Sequence, residues 1–343
     1  MKAVRLVGPE EVRVDDVPEP SLNESGDAIV RVKETAICGA DLFPYHGMTP
    51  GFEAGTVLGH EFVGVVEAVG DGVSVVKPGQ RVVNTSMISD GTCPHCRAGR
   101  VTQCESRALF GYSGVYPRLE GGQAELVRVP NADRSLFVIP DDVSDDDAVF
   151  VADILPTGYA GVRRGGVSVG DVVVVLGAGP VGLMAVLSAR GAAREVIAVD
   201  GVAERRELAS SMGAHAVTPE EAAGAVESAT DGMGADVVIE AAGALPALDA
   251  SLDLVRPQGT VSVIGAHFEP DYPLNNLLMF EKEITLRFSI GDPARDRERL
   301  LATIEAGAMK PSEVITHRLA LTEAPDAYRM FDSREAVKVV LSP

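Results

Sequence analysis

One segment constrains this chain more than any other: residues 171–192, DVVVVLGAGPVGLMAVLSARGA. The run Val172–Leu176 is apolar without alternation, as a parallel strand buried on both faces requires. It runs directly into Gly177-Ala178-Gly179-Pro180-Val181-Gly182 and then into a helical pattern, the context that turns a weak glycine motif into a dinucleotide fingerprint. The first glycine permits the tight turn, the second lets backbone approach a pyrophosphate, and the third allows close helix–strand packing. The helix N-terminus adds unpaired amide donors and a favourable dipole. Asp200 closes the next strand, REVIAVD, 23 positions after Gly177. A carboxylate there accepts hydrogen bonds from ribose hydroxyls and repels a 2′-phosphate, so NAD is expected over NADP. Arg205, one helical turn further on, is expected to pack over the adenine.

Around this segment the chain changes character twice. The first 150 residues are short β-rich stretches broken by glycine and proline, among them AIVRVKETAI, FVGVVEAVG, QRVVNTS and QAELVRVP. Several alternate apolar and polar residues, as half-buried antiparallel strands do. From Asp153 to about residue 286 strands and helices alternate, with DVVIEAAG and GTVSVIGA as the fourth and fifth strands and Gly265 among the cofactor-facing positions. The tail returns to mixed elements, including the helical RERLLATIEAG and the strand AVKVVLS. The expected fold is α/β, with residues 153–286 as the nucleotide domain and residues 1–152 plus 287–343 as a discontinuous β-rich domain. The cleft between two such lobes is the natural place for a substrate.

Composition narrows the partners. A formal charge of −20 argues against nucleic acid or an anionic membrane. No apolar run approaches the ~18–20 residues of a membrane span, and the N-terminus lacks the pattern of a signal peptide, so a cytoplasmic protein is expected. The acidic stretch Asp141–Asp147 reads as a solvated loop rather than a metal site. The four cysteines are Cys38, Cys93, Cys96 and Cys104, three of them within twelve positions, which reads as metal binding before disulfide formation. Cys38, His60 and Asp153 supply a thiolate, an imidazole and a carboxylate from three separate segments. Three such ligands suit a catalytic zinc whose fourth position stays open.

The segment Gly59-His60-Glu61, with Gly64, Gly70 and Val73 following at fixed spacing, resembles the signature of the zinc-dependent medium-chain alcohol dehydrogenases. Cys38-Gly39-Ala40-Asp41 and GAGPVG extend the resemblance along the whole chain. GGQAELVRVPNAD and ADILPTGYAG are similar to the branch that holds glutathione-independent formaldehyde dehydrogenase and bacterial secondary alcohol dehydrogenases. The resemblance implies a Rossmann-fold nucleotide domain with a GroES-like catalytic domain, and a homodimer or homotetramer. It implies catalytic zinc on Cys38, His60 and Asp153, with Glu61 behind them and able to approach the metal during ligand exchange. It also implies Thr157 and Gly158 at the nicotinamide and Lys338 at the cofactor pyrophosphate. Cys93, Cys96 and Cys104 match three positions of the family's structural zinc lobe, and Asp90 takes the fourth.

The pattern departs from the family at the proton relay. Most alcohol-oxidising members of that family carry a hydroxyl two residues after the zinc cysteine and often a histidine three residues beyond it; here those positions are Ala40 and Phe43. The proton is therefore expected to leave through water to His46 or through Glu61, or on a hydroxyl that the substrate itself brings. The leading reading is an NAD-dependent enzyme that interconverts an alcohol (secondary, polyol or bulky) and its carbonyl. Two alternatives are an aldehyde dismutase with tightly held NAD and a non-catalytic NAD(H)-binding scaffold.

Overall fold

The computed structural model describes residues 1–267, 269 and 271–343. The chain divides into two compact units, Met1–Asp153 with Asp292–Pro343, and Ile154–Gly291. The second division falls beyond the expected residue 286 because strand Thr285–Phe288 pairs in parallel with Val255–Val263 and so extends the nucleotide sheet.

In the first unit, a seven-stranded sheet runs in the order Leu136–Val138, Arg81–Asn84, Glu61–Val69, Ala28–Ala36, Val339–Ser342, His317–Ala320, with Leu126–Val129 also paired to Ala28–Ala36. The tail thus supplies two strands to a sheet begun by the N-terminal segment. Ala36 sits opposite Glu61 on one side and Val340 on the other. Alternation decides the faces: Val30 and Val32 pack with Phe62, Val66, Val82 and Phe110 in one core, while Arg31 and Lys33 are exposed.

The second unit holds a six-stranded sheet, wholly parallel, in the order His215–Val217, Glu195–Val199, Val172–Leu176, Ala235–Glu240, Val255–Val263, Thr285–Phe288. In chain order this is 3-2-1-4-5-6, the doubly wound arrangement that binds dinucleotides. All five residues of Val172–Leu176 are buried, as their unbroken apolar run requires.

The acidic stretch departs from its expectation. Asp145–Ala148 forms one helical turn capped by Ser144, whose hydroxyl accepts from the Asp147 amide. Carboxylates at a helix start are favoured by the backbone dipole. Asp145 pairs with Arg81 at 2.7 Å and Asp146 with Arg318 at 2.6 Å. The stretch is an ion-paired helix start, and it is not among the metal-competent clusters found in the described residues.

Candidate functional site

The sheet register of the first unit brings one group of ionisable side chains together. Cys38 lies two residues past the end of strand Ala28–Ala36, Glu61 opens Glu61–Val69, and Lys338 immediately precedes Val339–Ser342. These are the three strands that meet at Ala36. Asp153 follows the 3-10 turn Val149–Ala152. One donor atom each from Cys38, His60, Glu61 and Asp153 lies within 4.8 Å of every other.

Donor separations test whether a metal fits. Tetrahedral zinc with ordinary bond lengths spaces a sulfur and an oxygen ligand about 3.6 Å apart, and a nitrogen and an oxygen about 3.4 Å. Cys38 Sγ and Asp153 Oδ2 are 3.6 Å apart, and His60 Nε2 and Asp153 Oδ2 are 3.5 Å apart. Electrostatics point the same way. Burial pushes the Cys38 thiol up to about 12; the charge of Glu61 adds to this and His60 opposes it. Burial alone would raise Asp153, but His60 and the Ser86 hydroxyl hold it below its usual range. Burial raises Glu61 against the pull of Lys338. A dry thiol among carboxylates stays protonated until a cation arrives, and a bound metal reverses that preference.

Each ligand is held from behind. Asp41 Oδ2 accepts the Cys38 amide at 3.0 Å, and its Oδ1 lies 3.2 Å from His60 Nδ1, though off the line of a hydrogen bond. A carboxylate there fixes the tautomer that leaves Nε2 to a metal. Asn84 donates to the His60 carbonyl at 2.8 Å and accepts from the Phe62 amide at 2.9 Å. Ser86 donates its hydroxyl to Asp153 Oδ1 at 2.9 Å, while its amide donates to the Ala152 carbonyl at 3.0 Å. Sequence reasoning assigned no role to Asp41 or Ser86. Asp41 had a signal, the three-residue spacing at which an acid caps a helical turn; Ser86 had none.

Lys338 takes partners that its neighbours in the sequence do not reveal. It is fully buried, and its ammonium donates to Glu61 Oε2 and, at 2.9 Å, to the Ile37 carbonyl. Its Nζ also lies 5.8 Å from the centre of the Phe150 ring. Ala40 and Phe43 carry no ionisable group, and His46 lies on the surface between Glu10 at 3.3 Å and Asp332 at 2.8 Å.

Asp90, Cys93, Cys96 and Cys104 form the second cluster, also within 4.8 Å. Asp90 Oδ1 accepts the Thr92 and Cys93 amides at 2.6 and 2.9 Å, which turns Oδ2 to within 3.2 Å of Cys104 Sγ. These amides hold the carboxyl well below the usual carboxylate range. Burial drives Cys96 up to about 12, whereas the Cys96 amide lowers Cys93. Three thiols and a carboxylate converging in this way again suit a cation.

In the second unit the glycine turn is built as its motif demands. Gly177 adopts φ +90°, and a side chain there would strike Ala242. A Cβ on Gly182 would overlap the Gly177 carbonyl oxygen. Gly179 caps helix Pro180–Ala189 with no side chain over its end, and Pro180 and Val181 form its first turn. Asp200 accepts the Ala178 amide on Oδ2 and the Val202 amide on Oδ1, both at 2.8 Å. Arg205 lies 3.8 Å from Asp200 and is the nearest group to the open side of Gly179. Gly265 packs against Gly243 and Glu240, and Gly158 packs against Met184 and Ala185, with Thr157 beside Gly291.

Comparison with known proteins gives consistent findings. The family described as "Alcohol dehydrogenase GroES-like domain" matches residues 24–141, and "Zinc-binding dehydrogenase" matches residues 180–306. The uncharacterized zinc-type alcohol dehydrogenase-like protein AdhB of Bacillus subtilis is 35% identical, with 100% of both chains covered. Among solved structures, alcohol dehydrogenase TADH from Thermus sp. ATN1 is similar at TM-score 0.96 and 40% identity, over 100% of this chain and 99% of that one. A putative zinc-binding dehydrogenase from Sinorhizobium meliloti, bound to NADP, follows at TM-score 0.88 and 33% identity, over 100% and 99%.

Proposed function

We propose the following function for this chain, which belongs to the zinc-dependent medium-chain alcohol dehydrogenase family: it interconverts an alcohol and its carbonyl compound by hydride transfer, with secondary, polyol or bulky alcohols as preferred substrates. The comparisons favour this reading over an aldehyde dismutase or a non-catalytic scaffold. Zinc and a nicotinamide, when bound, supply a Lewis acid for the substrate oxygen and a carrier for the hydride.

The chain's own residues do the rest. Cys38, His60 and Asp153 would hold the catalytic zinc, and the observation that carries this is their donor spacing of 3.5 to 3.6 Å. Asp41 and Ser86 orient His60 and Asp153. The glycine turn and the first amides of helix Pro180–Ala189 receive the pyrophosphate, and Thr157 and Gly265 belong to the cofactor's surroundings. Asp200, with Arg205 beside it, selects NAD by placing negative charge where a 2′-phosphate would sit. The second cluster would hold a structural zinc on Asp90, Cys93, Cys96 and Cys104.

Ala40 and Phe43 make the substrate's surroundings apolar and roomy, which favours bulkier alcohols, but they cannot relay a proton. A substrate carrying a second hydroxyl supplies that route itself. Edge strand Thr285–Phe288, with exposed Phe288 and Ile290 and nearby Leu277 and Phe280, supports a homodimer or homotetramer joined edge to edge. Among the described residues no helix is long and apolar enough to cross a membrane, and we place the protein in the cytoplasm.

The test is reduction of NAD by purified, zinc-loaded protein across primary alcohols, secondary alcohols, polyols and aldehydes, with NADP in parallel. NAD-dependent turnover strongest on secondary alcohols or polyols is expected. Full zinc and cofactor binding without turnover on any alcohol would sink the proposal.

A further inference from the structure

One buried carboxylate of the second unit has no task in the glycine turn or at Asp200. Glu240 closes strand Ala235–Glu240 and is fully buried. Its Oε1 accepts the Ala242 and Gly243 amides at 2.9 and 2.8 Å. Its backbone carbonyl accepts the Ile264 and Gly265 amides at 2.8 and 2.9 Å. Its Oε2 lies 2.9 Å from Nε2 of His267, which follows strand Val255–Val263. A carboxylate only accepts, so Nε2 is the donor. The His267 side chain is 11% exposed, and its ring meets Phe288 of strand Thr285–Phe288 edge-on, with centroids 6.4 Å apart.

The glycines around this pair fit it. A Cβ on Gly265 would come within 2.7 Å of Glu240 Oε2 and 2.3 Å of the Gly243 nitrogen, so glycine there lets the carboxylate reach His267. A Cβ on Gly243 would meet the Ala266 carbonyl oxygen at 2.6 Å. On the other side, the Ala241 amide donates to the Leu176 carbonyl at 2.9 Å, and Ala242 fills the space beside Gly177. Residues 241–243 are thus wedged between the glycine turn and residues 265–267. Strand order assigns these turns to one half of a dinucleotide. Asp200 ends a strand of the adenine half. Residues 241–243 and 265–267 follow the fourth and fifth strands, at the half where a nicotinamide mononucleotide belongs.

We propose that His267 is a positioning residue for the nicotinamide half of the cofactor: anchored on Glu240, it locks the turns after the fourth and fifth strands together before the cofactor arrives. This rests on the dinucleotide reading above. The gain is preorganisation, since turns already held need not be ordered by binding. It falls on the nicotinamide side alone, because the adenine side is built on Asp200 and strands Glu195–Val199 and His215–Val217.

The test compares native protein with H267A, H267N and H267Q. Each is titrated with NADH by fluorescence and with AMP, the adenine half alone, by calorimetry. The glutamine amide reaches the place of Nε2 and still donates to Glu240, whereas the asparagine amide stops near Nδ1 and does not. H267A and H267N should bind NADH ~10-fold more weakly and AMP within about twofold of native. H267Q should recover NADH affinity to within about threefold. NADH affinity within about twofold of native in H267A would overturn the proposal. So would an equal loss for NADH and AMP, the mark of a sheet weakened as a whole. A loss in H267Q as large as in H267A would also overturn it, making the ring a direct cofactor contact instead of a clamp. If H267A does not fold, H267N decides on the same terms. Native protein that binds neither NADH nor AMP would instead refute the dinucleotide reading itself.

Discussion

Replacing Ser86 with alanine removes one hydroxyl and tests whether Asp153 is held ready for a metal. The Ser86 hydroxyl donates to Asp153 Oδ1 at 2.9 Å, and Asp153 Oδ2 is the oxygen nearest Cys38 and His60. The backbone stays anchored in the variant, since the Ser86 amide still donates to the Ala152 carbonyl. A hydrogen bond to a charged group contributes about 1.5–3 kcal/mol. The Asp153 side chain is 24% exposed, so water partly replaces the lost donor and the lower end applies. About 1.5–2 kcal/mol is roughly a 10- to 30-fold loss of zinc affinity, within the range typical of partners behind metal ligands. Competition against a colorimetric chelator measures this, and only one of the two zinc equivalents should weaken. Zinc affinity within twofold of native, in a variant that melts normally, would refute the idea that Ser86 organises the ligand.

Three other substitutions probe separate parts of the molecule. Gly182→Ala would drive a methyl group into the Gly177 carbonyl; NADH affinity should fall by ~100-fold or more by fluorescence titration, with zinc content by metal analysis unchanged. Asp200→Asn keeps an acceptor for the Ala178 amide but removes the charge that repels a 2′-phosphate, so the NADP-to-NAD ratio of kcat/KM should rise by about tenfold; an unchanged ratio would remove Asp200 from cofactor choice. Glu34 is pushed from 4.5 up to about 7 by burial and by the neighbouring Asp146 charge. The stability it contributes in protonated form is complete below pH 4.5 and is lost as pH rises through about 7. Glu34→Gln should flatten the pH dependence of the unfolding free energy, taken from urea titrations between pH 5 and 8, by about 1–2 kcal/mol, and parallel native and variant curves would count against it.

Much of the architecture can be read locally, because short-range pattern dictates it. Val172–Leu176 is apolar throughout and lies buried between Glu195–Val199 and Ala235–Glu240. Ala28–Ala36 alternates through residues 30–33, where Arg31 and Lys33 are exposed and Val30 and Val32 buried. Partners set by register are not legible in this way. Nothing near Lys338 reveals that Val340 lies opposite Ala36 and Ala36 opposite Glu61. An isolated lysine in AVKVVLS reads as a cation for a phosphate; the pairings add a carboxylate 277 residues away as its partner. Ser86 was missed for the same reason, since its partner lies 67 residues further along the chain. The acidic turn at Asp145 was misread because its cations, Arg81 and Arg318, come from distant strands.

That distribution of partners has a consequence for metal removal. Both donor clusters lie in the unit formed by Met1–Asp153 and Asp292–Pro343, and the glycine turn lies in the other. A ligand that binds only the folded state stabilises by about 2.7 kcal/mol when present at 100 times its dissociation constant. Removing zinc withdraws such stabilisation from the sheet that joins Ala28–Ala36 to Glu61–Val69 and Val339–Ser342. It also leaves Cys38 as a buried protonated thiol facing Asp153. Hydrogen exchange resolves the two units residue by residue. After chelation, amides of Glu61–Val69 and Arg81–Asn84 should lose protection by ~100-fold, the factor that corresponds to 2.7 kcal/mol. Val172–Leu176 should be unaffected, and NADH should protect that strand and its neighbours instead. Equal loss in both sheets would mean that zinc stabilises the chain through something other than the ligands named here. No loss in either would mean that the donor clusters hold their shape without a cation, and the zinc reading would then have to rest on chemistry alone.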